Sequence, residues 1–227
     1  MIIKKYKSIV AVIKNPVEGI YTIEFKSLSG AYKYAPGQFL HLALDTDYDG
    51  IGQWPESRCF SMQSNPDEDK IRITYAVKGR FTMMMEKQLR VGSEVWLKLP
   101  YGDLFTREHN KTNTVFIAGG TGITPYLSLF AHQSFNDYQS PNLYLGFRSA
   151  ELNIYQDELR RLCNSSATVK YVYQNLKGSL DIQQIFNENG TAPDYFISGP
   201  PEMIRAFKNR LIEEGVSISQ IKTDDWE

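Results

Sequence analysis

Thr114-Val115-Phe116-Ile117-Ala118-Gly119-Gly120-Thr121-Gly122-Ile123-Thr124-Pro125 is the stretch on which the reading of this chain turns. An apolar strand runs into a glycine turn, and the turn runs directly into a helical pattern at 125–132. Glycines at such a junction let the backbone turn tightly and come close to a pyrophosphate, while the unpaired N–H groups of the helix start favour an anion. Pro125 suits the first helical turn, where its missing N–H costs nothing. Alone, the turn reads equally well as a plain connection or as a phosphate cradle. Its place beyond the carboxyl end of a strand, where ligands of open parallel sheets sit, favours the cradle.

Downstream the same grammar repeats. NLYLGF leads into a helical stretch at 154–163, TVKYVYQ into one at 180–187, DYFIS into one at 201–214, and SQIKTDD follows. Strands alternating with helices predict right-handed βαβ units and a parallel sheet. Upstream the grammar is different. Strand-like stretches at 5–14, 20–26, 38–45, 58–63, 71–77 and 94–99 are separated by turn clusters such as Asn15-Pro16, Ser29-Gly30 and Asn65-Pro66-Asp67. One helix interrupts them near 81–89. Six short strands at this spacing predict a small antiparallel barrel. The polar stretch 103–113 marks the change, so residues 1–108 are expected to form the barrel domain and 109–227 the α/β domain.

Composition narrows the function. The 227 residues are 42% apolar and 22% charged with a net charge of −1, as in globular proteins with a sizeable core, and no broad basic surface for nucleic acid is left. Cys59 and Cys163 cannot supply the four thiolates of a zinc ribbon or an all-cysteine iron–sulfur cluster. Two cysteines are no disulfide framework either, which favours a reducing interior. No apolar run reaches the ~20 residues of a membrane helix, and the opening segment lacks a signal-peptide layout, so a cytoplasmic enzyme is expected. His41, His109 and His132 show no spacing that suits a metal or a triad and read as structural. No metal site is expected. With acid–base groups scarce beside several phosphate-type turns, a cofactor is expected to carry the chemistry.

Three further stretches carry weight. Phe196-Ile197-Ser198-Gly199-Pro200-Pro201-Glu202-Met203 is a second strand-to-helix turn of the same kind, readable alone as simple helix initiation. Arg58-Cys59-Phe60-Ser61-Met62-Gln63-Ser64 alternates so that Arg58, Phe60 and Met62 share a face opposite Ser61. By spacing alone it reads as a half-buried strand with one exposed Arg. Lys78-Gly79-Arg80-Phe81-Thr82 joins a strand to the isolated helix, and reads either as ordinary capping or as a positively charged anion seat.

In this order, these stretches resemble the ferredoxin–NADP⁺ reductase-like flavoprotein superfamily over essentially the whole chain. Pro36-Gly37-Gln38-Phe39 is similar to the family's PGQ(F/Y), and Arg58–Ser64 to its flavin motif R-x-(Y/F)-S-x-x-S. Gly79–Thr82 is similar to G-x-x-(S/T), and Gly119–Pro125 to G-G-(T/S)-G-(I/V)-(T/A)-P. Gly146-Phe147-Arg148 and Ser198–Met203 are similar to the family's G-x-R and (C/S)-G-P-x-x-M.

The resemblance implies a barrel holding a flavin, FAD in preference with FMN as the alternative, and an α/β domain holding NADH or NADPH. Arg58 would face the flavin phosphates, Phe60 would pack on its ring and Ser61 would bond near its N5. Gly79 and Thr82 would cradle the pyrophosphate, with Tyr75 and Val77 on the strand before them counted in the same site. Gly119, Gly120, Thr121 and Gly122, with Arg148, would hold the nicotinamide dinucleotide, and Gly199 and Pro200 would border the nicotinamide. Ser61, Ser198 and Trp226 would flank the reaction; Trp226, after Asp224 and Asp225, would cover the flavin or simply be a packed ring. Three departures stand out: Phe60 for the commoner Tyr, Ser198 for Cys, and no Ser-Arg pair after TVKYVYQ for a 2′-phosphate. Arg148 and Lys177 are left for that role, and NADH is preferred. The implied activity is hydride transfer from NAD(P)H to flavin, then electron transfer to a separate acceptor such as a ferredoxin, an oxygenase component or a small molecule. The rival reading is a relay or non-catalytic flavin-binding subunit, which would have less need of the Gly119–Pro125 turn.

Overall fold

A computed structural model describes residues 2–163 and 167–224; Asp225 and Trp226 lie outside them. The first sheet contains β1 (Lys4–Val17), β2 (Ile20–Ser27), β3 (Phe39–Ala43), β4 (Ser57–Ser61), β5 (Lys70–Ala76) and β6 (Glu94–Tyr101), with helix α1 (Arg80–Gln88) between the last two. The second contains β7 (Thr114–Gly119), β8 (Asn142–Phe147), β9 (Thr168–Tyr173), β10 (Asp194–Ser198) and β11 (Ile221–Thr223). Its connecting helices are α2 (Thr124–Ala131), α3 (Gln156–Cys163), α4 (Gln174–Lys177), α5 (Ile182–Asn189) and α6 (Pro201–Glu213).

The six-stranded sheet runs β4-β3-β6-β1-β2-β5, and every pair is antiparallel. β1 is long and irregular in register between Val10 and Val12 and between Lys14 and Val17. Such bulges bend a strand and increase its twist, which a small barrel requires. The edges meet beyond β4, where Gln63 N–H donates to the Arg72 carbonyl at 2.7 Å. Inward residues alternate as the period of two demands: Ile23 and Phe25, Leu40 and Leu42, Ile71 and Ile73, Val95 and Leu97 fill the core. Each such side chain contributes about 1.5–3 kcal/mol by leaving water.

The five-stranded sheet is parallel, in the order β11-β10-β7-β8-β9. β7 and β10 are central and covered on both faces, which explains their unbroken apolar sequences. Phe116, Tyr126, Leu143 and Phe196 pack on one face, and Val115, Ile197, Ile204 and Phe207 on the other. After β9 the chain returns across the sheet to place β10 on the far side of β7, so the connections leaving β7 and β10 diverge at their carboxyl ends. A crevice opens at such a switch point.

Where elements start or stop differently from the sequence reading, local contacts explain it. The helical stretch expected from 180 begins at Ile182 because Asp181 caps it, accepting from the N–H groups of Gln183 and Gln184. Leu180 instead packs against Gly146, where a Cβ would lie 2.7 Å from its side chain. Gln174, read as the end of a strand, starts the single turn of α4. Among the described residues, no helix is long and apolar enough to cross a membrane.

Candidate functional site

The two glycine turns converge at the switch point. Ser198 pairs in register with Ala118, and Gly119 with Gly146, so the ends of three strands line one edge. Gly120–Ile123 forms a 3₁₀ turn that feeds α2, with Thr124 Oγ1 donating to the Thr121 carbonyl at 2.9 Å. Gly120 has φ +56°, the left-handed region that glycine tolerates, and a Cβ there would meet nothing within 4 Å. The space over it is open. Gly122 is packed instead: a Cβ would lie 2.6 Å from Gly199 N and Cα. Gly119 is similarly closed by Pro200 and Met203. Of the four residues expected to hold a dinucleotide, Gly120 thus faces space while Gly119 and Gly122 bring the turns together.

Between the turns and the barrel lies a shared carboxylate. Asp224 Oδ2 accepts from Ser198 Oγ at 3.0 Å and from Ser61 Oγ at 3.4 Å. Both hydroxyls are nearly dry, Ser61 at 5% and Ser198 at 1% exposure. Asp224 is held by its own N–H, which donates to the Ile197 carbonyl at 3.0 Å after β11 has docked on β10. Ser61 and Ser198 were both expected at the reaction centre, and the fold brings them together. The acid that joins them was visible in sequence only as part of a terminal cluster. Trp226, expected beside them, falls outside the described residues.

On the barrel, Phe60 and Tyr75 meet edge to face at 6.0 Å, and Tyr75 stacks on Tyr21 at 5.6 Å. Both rings belong to the barrel core, so Phe60 presents only 9% of its surface. Arg58 points outward, its guanidinium 5.5 Å from the Phe81 ring. Val77 holds the start of the next turn through an N–H donated to the Gly19 carbonyl at 2.8 Å. α1 then opens on Gly79, where a Cβ would meet nothing within 4 Å. The Thr82 hydroxyl accepts from Lys78 N–H at 3.0 Å and Gly79 N–H at 3.1 Å, so it shapes the turn rather than pointing away from it. Arg148 is exposed at the end of β8, and its carbonyl accepts from Asn175 N–H at 3.1 Å.

A carboxylate pairs with Arg80, the first residue of α1. The Glu56 carboxylate lies 2.6 Å from Arg80 and 3.8 Å from Arg58. Glu56 was not anticipated, because an acid in a loop carries no motif. Two guanidinium groups, one of them on the first residue of α1, collect negative charge here. The residues present fit a pyrophosphate on this side of the crevice. Gly120 and the first turn of α2 fit a second one on the other.

Nucleophilic chemistry has no support here. His41 Nε2 lies 3.5 Å from Cys59 Sγ, but burial, with Lys98 nearby, lowers the imidazole, and burial raises the thiol. The pair stays neutral. Among the described residues, no group of three or more His, Cys, Asp or Glu side chains is arranged to hold a metal ion.

A closed antiparallel barrel joined to a parallel sheet, with a glycine turn at the start of α1 in the first and two more at the carboxyl edge of the second, is the two-domain architecture of ferredoxin–NADP⁺ reductase-like structures. Residues 116–209 match the family model of the oxidoreductase NAD-binding domain. The chain is similar to the reductase component of propane 2-monooxygenase from Rhodococcus jostii, with 28% identity over 86% of this chain and 56% of the relative. It is 26% identical to the phenol 2-monooxygenase reductase component DmpP of a Pseudomonas species, over 97% of this chain and 67% of the relative. The chain spans 56–62% of the length of the first curated relatives it matches. In fold it matches a ferredoxin NADP⁺ reductase from Neisseria gonorrhoeae with bound FAD and NADP, at a TM-score of 0.82 and 19% identity over 98% of each chain.

Proposed function

We propose that the protein is an NAD(P)H-dependent flavoprotein reductase that holds FAD on the barrel and the nicotinamide dinucleotide on the α/β domain, and passes electrons to a separate acceptor. The observation that carries this is the Ser61–Asp224–Ser198 bridge, which puts one hydroxyl of each domain on a common carboxylate at the switch point. When bound, the nicotinamide supplies a hydride that the flavin accepts and can release as single electrons. The chain's own contribution is placement. Gly120 and the first turn of α2 take the dinucleotide phosphates, while Gly199 and Pro200 border its reactive end. Arg58, Arg80 and the open start of α1 at Gly79 take the flavin phosphates, with Phe60, Tyr75 and Val77 supporting that side. Ser61 and Ser198 offer hydroxyls at the reacting edge, and their burial keeps water from it. Trp226 is retained as a further member of the site.

A division near 108/109 fits the ends of the two sheets at Tyr101 and Thr114. The absence of a Ser-Arg pair after β9 leaves Arg148 and Lys177 as the cations near a 2′-phosphate, and NADH is the preferred donor. The acceptor is an electron carrier or oxygenase component, by analogy with the monooxygenase reductase components. Two unpaired thiols, Cys59 and Cys163, suit a cytoplasmic setting. The test is anaerobic mixing of the FAD-loaded protein with NADH or NADPH. Rapid bleaching of the yellow colour is expected; a flavin that binds but stays oxidised with both donors assigns the protein to a relay role instead.

A further inference from the structure

We propose that Glu158 is a positioning residue that sets the distance between the two halves of the reaction site; the proposal rests on the reading above and deepens it. The stretch 61–67, which leaves β4, makes a chain of polar contacts with the second domain. Beyond Ser61 on Asp224, Gln63 Nε2 donates to Glu158 Oε2 at 3.1 Å. The Ser64 carbonyl accepts from Ser128 Oγ at 2.8 Å, Asn65 Nδ2 donates to the Ala131 carbonyl at 2.9 Å, and Asp67 lies 3.8 Å from His132. Ser61, the last residue of β4, and Gln63, just beyond it, both reach side chains of the second domain.

Glu158 holds the barrel with both oxygens, one on the stretch 61–67 and one on β5. Its Oε1 accepts from Arg72 Nη2 while Oε2 accepts from Gln63. Neither partner is free to drift. Gln63 is 2% exposed, its Oε1 accepts from Thr74 Oγ1 at 2.6 Å, and Thr74 is in turn bonded to Thr22 at 3.0 Å. Gln63 and Arg72 are also the two residues whose backbone bond closes the barrel. The carboxylate therefore docks where the barrel closes. At its other end Glu158 lies in the first turn of α3, where negative charge is favoured. α3 follows β8, which is in register with β7 up to Gly119. The connection runs from Ser61 through Gln63 and Glu158 into α3, and through the chain between α3 and β8 to the strand that pairs with β7 as far as Gly119.

Beside the grip is a cleft of about 160 Å³ lined by Gln63, Arg72, Tyr155 and Glu158. Arg72 Nε there has no hydrogen-bond partner. This side of the junction is thus not closed by packing, and the Glu158 carboxylate holds it.

The test compares the wild type with Glu158→Ala and Glu158→Gln by two measurements. In hydrogen–deuterium exchange of the cofactor-free protein, the amides of 61–67 are expected to exchange at least tenfold faster in Glu158→Ala, with Glu158→Gln between it and the wild type. With saturating FAD, the limiting rate of bleaching by NADH is expected to fall about ten- to a hundredfold in Glu158→Ala, the effect of a misplacement near 1 Å. The half-saturating concentrations of FAD and NADH stay within twofold. A limiting rate within twofold of wild type overturns the proposal, as does a loss confined to the half-saturating concentrations. If the wild type itself is not bleached by either donor, the reductase reading falls, and the exchange data alone decide. Unchanged protection at 61–67 then overturns the Glu158 grip, and lost protection upholds it.

Discussion

Gly122 and Gly199 touch through their backbones, with Ser198 O, Gly199 N and Gly199 Cα all 2.6 Å from the place a Gly122 Cβ would occupy. The two strand-to-helix turns are therefore one body. Gly122→Ala must push them apart, and overpacking of this kind costs about 1–3 kcal/mol. A lowered melting temperature is expected together with a nicotinamide Michaelis constant raised at least tenfold. A variant that melts and binds like the wild type would contradict the contact.

Gly120 makes a contrast, because nothing lies within 4 Å of its missing Cβ. Gly120→Val is strained by its φ of +56° but collides with no protein atom. Its main expected effect is to crowd a bound pyrophosphate. Steady-state kinetics should show the nicotinamide Michaelis constant rising with flavin affinity unchanged; an unchanged constant would move the dinucleotide elsewhere.

Asp224→Leu leaves the Ser61 and Ser198 hydroxyls buried without their acceptor. Each orphaned group costs about 1–3 kcal/mol, and the spacing across the crevice is lost. Flavin reduction by NADH is expected to slow at least tenfold while FAD titration gives the same affinity. Asp224→Asn, which keeps an acceptor oxygen, should retain more of the rate.

Glu56 holds the arginines that a flavin phosphate would use. Glu56→Gln should therefore tighten FAD binding, by no more than about fivefold, since exposed ion pairs are worth about 0–1 kcal/mol. Arg58→Ala should weaken it. Quenching of FAD fluorescence on titration measures both, and tighter binding by Arg58→Ala would exclude the seat at α1.

His109 predicts an acid limit on stability. Its ring is packed against Phe196 at 5.0 Å, and burial is the main cause that lowers it below its usual 6.5, with Lys111 and Lys222 adding to the effect. The folded state binds this proton less readily than the unfolded chain, so stability is full above pH 6.5 and declines as pH falls below it. His109→Gln should flatten that decline in denaturant melts between pH 7 and pH 5.5. An identical slope in the two proteins would assign the decline to other groups.

Much of this architecture was legible in sequence. Strands of period two against strands alternating with helices separated the halves, and TVFIA before Gly119 located the carboxyl edge at which the two glycine turns meet. Ser61 and Ser198, which the fold brings onto one carboxylate, stood out because each stands in a motif. What escaped was tertiary. Glu56, Glu158 and Asp224 are ordinary acids whose roles depend on what the fold brings opposite them. The packing duty of Gly122 was hidden for the same reason: a glycine kept for a neighbouring backbone and one kept for a ligand look alike in one dimension. Phe60 shows the limit of alternation, which assigned its face but not the depth at which its ring lies.

The run of contacts along 61–67 makes the two halves answerable to each other. Ser61, at the proposed flavin edge, and the residues that fasten the α/β domain share one short ribbon of backbone, so a ligand that shifts or stiffens one end changes the energy of the other. Linkage then demands symmetry: whatever factor flavin occupancy applies to dinucleotide affinity, dinucleotide occupancy applies to flavin affinity. The contacts at 61–67 are where such coupling between the two proposed sites would be carried.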